Sequence, residues 1–217
     1  GLTSWLNSIK TPDFSKIENT KQRKNTFFQY LLPVVKKQNS QIIQLRNTIK
    51  NNSIGQYKLK TLYHQYRVQE GDKEALLTRI DIIPASLVLA QGAYESNWGR
   101  SRFAKHYHNF FGLWCFEKGC GVVPLKREKE ATHEVAKFSS LDKGVEHYMR
   151  NINRNNAYTT LRKIRKNKRD NQLPITGIGL AEGLENYAEI GYDYVETVKD
   201  IIIYNKLSKY DYRKGDI

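Results

Sequence analysis

The chain has two cysteines, one methionine and five prolines in 217 residues, and its 22 Asp and Glu are outnumbered by 36 Lys and Arg. Each scarcity removes a class of explanation. With Cys115 and Cys120 alone, no second cysteine pair completes a zinc site, and their spacing is not the C-x-x-C of a redox motif. The histidines (His64, His106, His108, His133 and His147) form no H-E-x-x-H, and His133-Glu134 lacks the second His four residues on. No metal and no cofactor are therefore expected. The absence of G-x-S-x-G, a Walker loop or G-x-G-x-x-G leaves acyl transfer and nucleotide chemistry without support. The longest apolar run, around Ile82 to Ala90, is too short and too interrupted to span a bilayer, so no transmembrane segment is expected. There is no internal repeat and no low-complexity tract. No signal segment is visible at Gly1, and a sequence starting after a removed export segment would read the same way.

What is present is basic and aromatic. A formal charge of +14 implies an anionic partner, whether nucleic acid, a membrane surface or an acidic polymer. An aromatic fraction of 12%, with 14 Tyr, favours stacking on ring faces, which serves sugars and bases alike. The length suffices for one sizeable core with a small appended helical segment. Cys115-Phe-Glu-Lys-Gly-Cys120 allows a small disulfide loop, which would fit an oxidising compartment; the other reading is two semi-buried thiols.

Hydrophobic periodicity predicts mostly helix. Residues 1 to about 20 form a loose lead-in containing Pro12. Thr20 to Asn52 reads as a helix that Pro33 should kink or divide, followed by helices at Ile54–Tyr66 and Asp72–Arg79. Between Gly121 and Phe138 the pattern turns β-compatible, with Val122-Val123 and Thr132–Phe138 flanking Lys126-Arg-Glu-Lys-Glu130 as a hairpin with a charged tip. Helices return at Leu141–Asn153, with Asp142 as cap, at Tyr158–Lys168, at Ile178–Glu189 and at Asp193–Leu207. Asp193-Tyr-Val-Glu196 has capping-box form. The basic run Leu161–Arg169 reads as a solvated face anchored by Leu161 and Ile164; it could also serve a nucleic-acid-binding helical protein, but no helix-turn-helix, zinc-finger or RNP framing accompanies it.

One helix carries the chemistry. Pro84 suits its first position and Gly99 its stop, with Leu87, Ala90, Tyr94 and Trp98 as an apolar stripe. Glu95 sits in the last turn on the neighbouring face with Val88 and Gln91. The helix dipole disfavours a negative charge there and an aromatic surrounding disfavours it further, so both favour a carboxyl that keeps its proton. That is what a general acid acting on a glycosidic oxygen requires; the ordinary alternative is a solvated glutamate. Gln91-x-x-x-Glu95-Ser-x-Trp98-Gly99, followed by Asn109-Phe-Phe-Gly112, resembles the A-Q-x-x-x-E-S-x-W-G … N-L-F-G pattern of the bacterial β-N-acetylglucosaminidases that cleave peptidoglycan (glycoside hydrolase family 73).

That resemblance implies a mainly α, lysozyme-like α+β fold, with a helical extension at 1–70 and a catalytic domain with a small hairpin lobe at 71–210. It implies Glu95 as acid and a second carboxylate on the hairpin's first strand, in a T-x-E-like element. Glu128 is the best match, with Glu130 and Glu134 open because Leu125-Lys126-Arg127 replaces the usual small hydroxyl residues. Tyr187-Ala-Glu-Ile-Gly-Tyr192 is similar to the family's Y-A-T-D-x-x-Y element, which makes Tyr187 the active-site tyrosine and Tyr192 a substrate neighbour. Gln91, Trp98, Asn109, Phe110, Phe111 and Trp114 are candidate groove residues; some of the aromatics should instead be buried scaffold, and Asn109 could equally cap a turn. Lys21–Pro33, Gly112–Gly121 and Thr132-His-Glu-Val resemble the Bax-type branch of Gram-negative bacteria, over about Phe27 to Leu207. The implied substrate is peptidoglycan glycan strands, with no nucleic acid, a monomeric enzyme and a place in the periplasm or cell envelope. The Glu95 motif alone also suits a lytic transglycosylase, and a catalytically silent wall-binding module is the non-enzymatic reading; the Tyr187 element favours the glucosaminidase.

Overall fold

Long amphipathic segments become helices, and in the computed structural model, where residues 10–213 and 215–217 are described, they dominate the chain. α1 (Thr20–Lys50), α2 (Gln56–Gln65), α3 (Lys73–Arg79), α4 (Ala85–Glu95) and α5 (Arg102–Tyr107) precede strands β1 (Trp114–Cys115), β2 (Gly121–Val122) and β3 (Glu134–Ala136). α6 (Leu141–Arg154), α7 (Thr159–Asp170), α8 (Gly177–Ala181) and α9 (Tyr192–Tyr204) follow. The sheet is antiparallel in the order β1-β3-β2, with Trp114 opposite Val135, Cys115 opposite Glu134, Gly121 opposite Ala136 and Val122 opposite Val135. This is a mainly helical, lysozyme-like α+β architecture. Residues 1–9 of the expected lead-in lie outside the described residues. Among the described residues no helix is long and apolar enough to cross a membrane, and no group of three or more His, Cys, Asp or Glu is placed to hold a metal.

Several local expectations are corrected. Of the two outcomes expected at Pro33, division does not occur: α1 runs on through it. Pro33 and Gln29 are both exposed, so the carbonyl that loses its helical partner faces water. Ser140, not Asp142, caps α6, its hydroxyl accepting from Lys143 N at 3.2 Å. The helix expected over Ile178–Glu189 ends at Ala181 and gives way to a 3-10 turn at Glu182–Leu184. Gly183 explains part of this: a Cβ there would collide with the backbone of Leu161, so the chain passes too close for a side chain. α9 starts after Gly191, whose φ of 62° sets the turn, rather than from an Asp193 capping box. The hairpin is present as β2 and β3, and Lys126, Glu128, Lys129 and Glu130 are exposed along its connection. The extra strand β1 and the short helix α5 have no counterpart in the sequence reading.

The chain divides into two compact units, one from the segment ending at Val34 with Gln91–Tyr148, the other from Val35–Ala90 with Met149–Ile217. The first is cored by rings. Phe27 meets Phe14 at 5.7 Å, Trp98 at 5.6 Å and Phe110 at 6.1 Å between centroids, in edge-on or tilted arrangements that aromatic quadrupoles favour. The second packs Ile49, Leu62, Tyr63, Tyr66, Leu76 and Ile80 into one buried cluster.

Within the second unit the basic run is only in part a solvated face: Leu161 is buried and Lys163 and Asn167 are exposed, but its arginines turn the other way. Arg162 and Arg165 are buried, and with Arg169 and Arg46 they point inward, which corrects that expectation. Asp81, 2% exposed, takes a bidentate bond from Arg169, both N···O distances 2.7 Å, and lies 3.5 Å from Arg46 and 4.0 Å from Arg165. Arg165 also donates to the carbonyls of Thr78, Arg79, Asp81 and Ile82 and to Asn153 Oδ1. Arg46 donates to Leu77 and Ile80 carbonyls. The surplus of guanidinium charge is thus absorbed at the carbonyl end of α3, where the helix dipole is negative. Burial lowers the Arg165 pKa to about 10, still protonated at neutral pH.

A second joint in this unit is made by Asp211. Its carboxylate accepts from Ser86 N at 2.9 Å, Ser86 Oγ at 2.7 Å and Gly177 N at 3.0 Å, closing the first turns of α4 and α8 together. A Cβ on Gly177 would strike Ser86 Oγ, so glycine is required for the approach.

Burial opposes the charge on Asp81, but the Arg169 hydrogen bonds and the charges of Arg165 and Arg46 outweigh it and hold the carboxyl below its ordinary range. The stability this adds is fully present above that ordinary range and is lost as pH falls through the lower folded value. Asp81→Asn should therefore cost about 3–5 kcal/mol at neutral pH, because buried arginines are left without their counter-ion. Urea denaturation at neutral pH and at pH 3 should show the gap between variant and wild type closing in acid.

Candidate active site

α4 is buried on every side from Ala85 to Ala93, which corrects the expected single apolar stripe: Val88 and Gln91 are as buried as Leu87 and Ala90. Only its end emerges, with Tyr94 exposed and Glu95 half-buried. The chain then reverses at once. Asn97, Trp98 and Gly99 all take left-handed φ values of 51°, 57° and 81°. Trp98 N bonds Ala93 O at 2.8 Å, closing the helix. Ser96 Oγ donates to Gly92 O at 2.6 Å and accepts from Gly99 N at 2.8 Å, a pair of hydrogen bonds that explains the serine of E-S-x-W-G. A Cβ on Gly99 would collide with the Phe14 ring, which explains the glycine. The Trp98 ring packs edge-on against Phe27 and Phe28, with Lys24 Nζ 4.9 Å above it.

The Asn109-Phe-Phe-Gly112 turn is built around one amide. Asn109 Nδ2 donates to Leu113 O at 3.0 Å and Ala136 O at 2.8 Å, while its Oδ1 accepts from Phe111 N and Leu113 N, both at 3.2 Å. All its hydrogen-bonding capacity goes into shaping the turn and tying it to β3. Phe110 and Phe111 are fully buried, so their surface is committed to packing. Phe111 stacks on Tyr148 at 4.2 Å, and the Tyr148 hydroxyl donates to the buried Gln91 Oε1. The turn delivers Gly112, with φ 64°, against the acid: a Cβ there would lie 2.8 Å from Glu95 Oε2. A carboxyl at the end of a buried helix thus rests on a backbone that has no side chain to displace it.

In the β-lobe Cys115 and Cys120 form a disulfide. Glu134 is buried, and its two oxygens accept from Gly119 N at 2.9 Å and Gly121 N at 3.0 Å; these bonds hold its carboxyl below the usual range. Glu128 and Glu130 are exposed on the connection between β2 and β3. Trp114, 57% exposed, stacks on His133 at 3.8 Å with the planes 13° apart.

Gln91, Glu95, Trp98, Asn109, Phe110, Phe111, Trp114 and Glu128 all belong to the first unit. Tyr187 and Tyr192 belong to the second. Tyr187 is half-buried, stacked on Tyr194 at 5.4 Å and tilted against Tyr158 at 5.9 Å. Tyr192 is exposed, and the charge of Glu182 with a hydrogen bond to Glu196 raises its pKa. The sequence reading passed over Ser96 and Gly112 as actors, although both stood inside the motifs it quoted, and over His133, which no local pattern marks. Asn109→Ala would strip partners from Phe111 N, Leu113 N and Ala136 O at once; with each buried orphan costing about 1–3 kcal/mol, a loss of at least about 2 kcal/mol is expected in chemical denaturation.

The family model described as glucosaminidase, mannosyl-glycoprotein endo-beta-N-acetylglucosaminidase, matches residues 72–207. Protein bax of Escherichia coli strain K12 is 31% identical over 200 residues, covering 86% of this chain and 71% of its own. The crystal structure of the catalytic domain of the autolysin Auto from Listeria monocytogenes is 19% identical, covers 96% of this chain and 94% of its own, and superposes with a TM-score of 0.48. With the family model matched over more than half of the chain and a relative 31% identical over most of both chains, this chain belongs to the glucosaminidase family of glycoside hydrolases.

Proposed function

We propose that this protein hydrolyses the β-1,4 bond after N-acetylglucosamine within peptidoglycan glycan strands, as an endo-β-N-acetylglucosaminidase with Glu95 as general acid. The observation that carries the reading is the carboxyl of Glu95 lying against Gly112 at the abrupt end of α4. There the negative end of the helix disfavours a charged carboxyl, which suits an acid that donates its proton to the leaving oxygen. Glu128 is the proposed second carboxylate, activating water on the opposite sugar face or stabilising the positive charge that develops on the ring. It is exposed on the β2–β3 connection, while Glu134 has both oxygens engaged by backbone. Tyr187 is proposed to bond the acetamido group or orient the attacking water, and Trp114 to stack on a sugar face. A substrate acetamide acting as internal nucleophile would fulfil the same chemistry with a smaller part for Glu128. The +14 charge suits a wall whose stem peptides carry carboxylates, and with the disulfide it favours the cell envelope, in a Gram-negative cell the periplasm.

Mass spectrometry of peptidoglycan digested by wild type and by Glu95→Gln tests this directly. Fragments ending in reducible N-acetylglucosamine are expected from the wild type, with the rate falling at least about 100-fold in the variant, the low end of what general acid catalysis contributes. Anhydro-muramic ends would make the enzyme a transglycosylase, and no products from either would leave a binding module. Gly112→Ala should push the Glu95 carboxyl aside and cost about 100-fold in kcat, as misplacement by about an ångström does, while circular dichroism still reports the helical fold.

A further inference from the structure

The β-lobe holds a carboxylate whose position argues against a part in proton transfer. Glu134 is the buried member of the cross-strand pair with Cys115, and its two oxygens reach the backbone N–H groups of Gly119 and Gly121, on either side of Cys120. The loop from Cys115 to Cys120, which contains Gly119, is closed covalently by the disulfide. Two restraints of different chemistry therefore hold a single loop, hydrogen bonds that tie it to β3 and a disulfide that closes it on itself. The residue before Cys115 is Trp114 and the residue before Glu134 is His133, and these two rings stack at 3.8 Å with the indole open to solvent. Gly121 contributes to the tightness: a Cβ there would run into the Val135 carbonyl, so β2 lies flush on β3.

We infer that Glu134 is a positioning residue, which acts together with the disulfide to hold the loop and strand that present the Trp114–His133 face to a glycan. The inference rests on the peptidoglycan reading above and separates Glu134 from the second catalytic carboxylate. The carboxylate form is required, because two N–H donors face it. An amide offers one acceptor oxygen and one NH2, so Gln at 134 would set a donor against a donor. With one restraint left the loop is held less firmly and the ring pair loosens; without both, the backbone order of Gly119 to Gly121 has no local support, and the ring pair loses its fixed spacing.

The test uses Glu134→Gln, the Cys115→Ser/Cys120→Ser pair and their combination, each assayed on soluble glycan strands beside the wild type. Each alone should raise KM several-fold with kcat within about twofold, since uniform binding is lost and no transition-state interaction is touched. Combined, they should raise KM by more than the product of the separate effects, because each restraint covers the loss of the other. Glycan-induced change in tryptophan fluorescence, with Trp114→Phe identifying that ring's share, should weaken in parallel. A kcat loss of about 100-fold in Glu134→Gln at unchanged KM would make Glu134 a proton-transfer group and overturn the inference, as would independent, simply multiplicative effects of the two restraints. If Glu134→Gln fails to fold, the serine pair decides: Glu134 remains, so KM must rise only several-fold, and loss of all binding overturns the inference. If the wild type gives no products, the catalytic reading fails instead, and the fluorescence titration still reports whether glycan binding depends on the two restraints.

Discussion

One buried carboxylate organises much of the second unit. Asp81 faces three arginines from two helices and lies four residues before α4 begins. Such an arrangement gains little from ion pairing as such, since desolvating the charges offsets most of the Coulomb attraction. Its value lies in geometry. The guanidinium forks of Arg165 and Arg46 reach the last carbonyls of α3 and the extended segment after it, and Asn153 adds a bond to the Asp81 carbonyl. Asn39 pairs with Ile83 through both its amide nitrogen and its oxygen. The stretch from Asp81 to Ile83, which has no regular hydrogen-bonding partner strand, is thus fixed by side chains, and the helix that ends in Glu95 starts from it.

The other end of that helix is governed by short-range rules. Three successive left-handed residues would be costly in a free chain, two of them not glycine. Ser96 and the Phe14 ring supply the bonds and the packing that make the reversal the only arrangement available. The turn at Asn109 uses the same logic with a single amide. The second of these segments places the backbone of Gly112 beside the Glu95 carboxyl. A glycosidic oxygen needs room to approach its acid, and Gly112 leaves that room.

How much of this was legible in the sequence depends on the range of the interaction. The helices from Thr20, Asp72 and Leu141 follow from periodicity and were readable to within a few residues. The motif around Glu95 was readable because its residues are close in sequence and each does one local job. The Leu161–Arg169 run was misread because charge is normally solvated, and nothing near it announces that Asp81, far back in the chain, will draw Arg165 and Arg169 inward. Whether Pro33 would divide its helix was not legible either: the cost of a proline depends on whether its orphaned carbonyl meets water, a fact of the folded surface. Asn109 was left between two roles because its four partners lie partly on β3, and a strand of three residues leaves too faint a pattern to register.

The Asp211 joint bears on where this protein ends as a cooperative object. The family match stops at residue 207, yet Asp211 lies beyond it and closes the first turns of two helices within that match. Two helix starts compete for water unless one distant anion satisfies both, and burial makes that anion reluctant to ionise, against the pull of the three bonds. The boundary of sequence kinship and the boundary of the folding unit are therefore different lines: a chain cut where the resemblance stops would keep every recognisable motif and lose the anchor on which two of its helices begin.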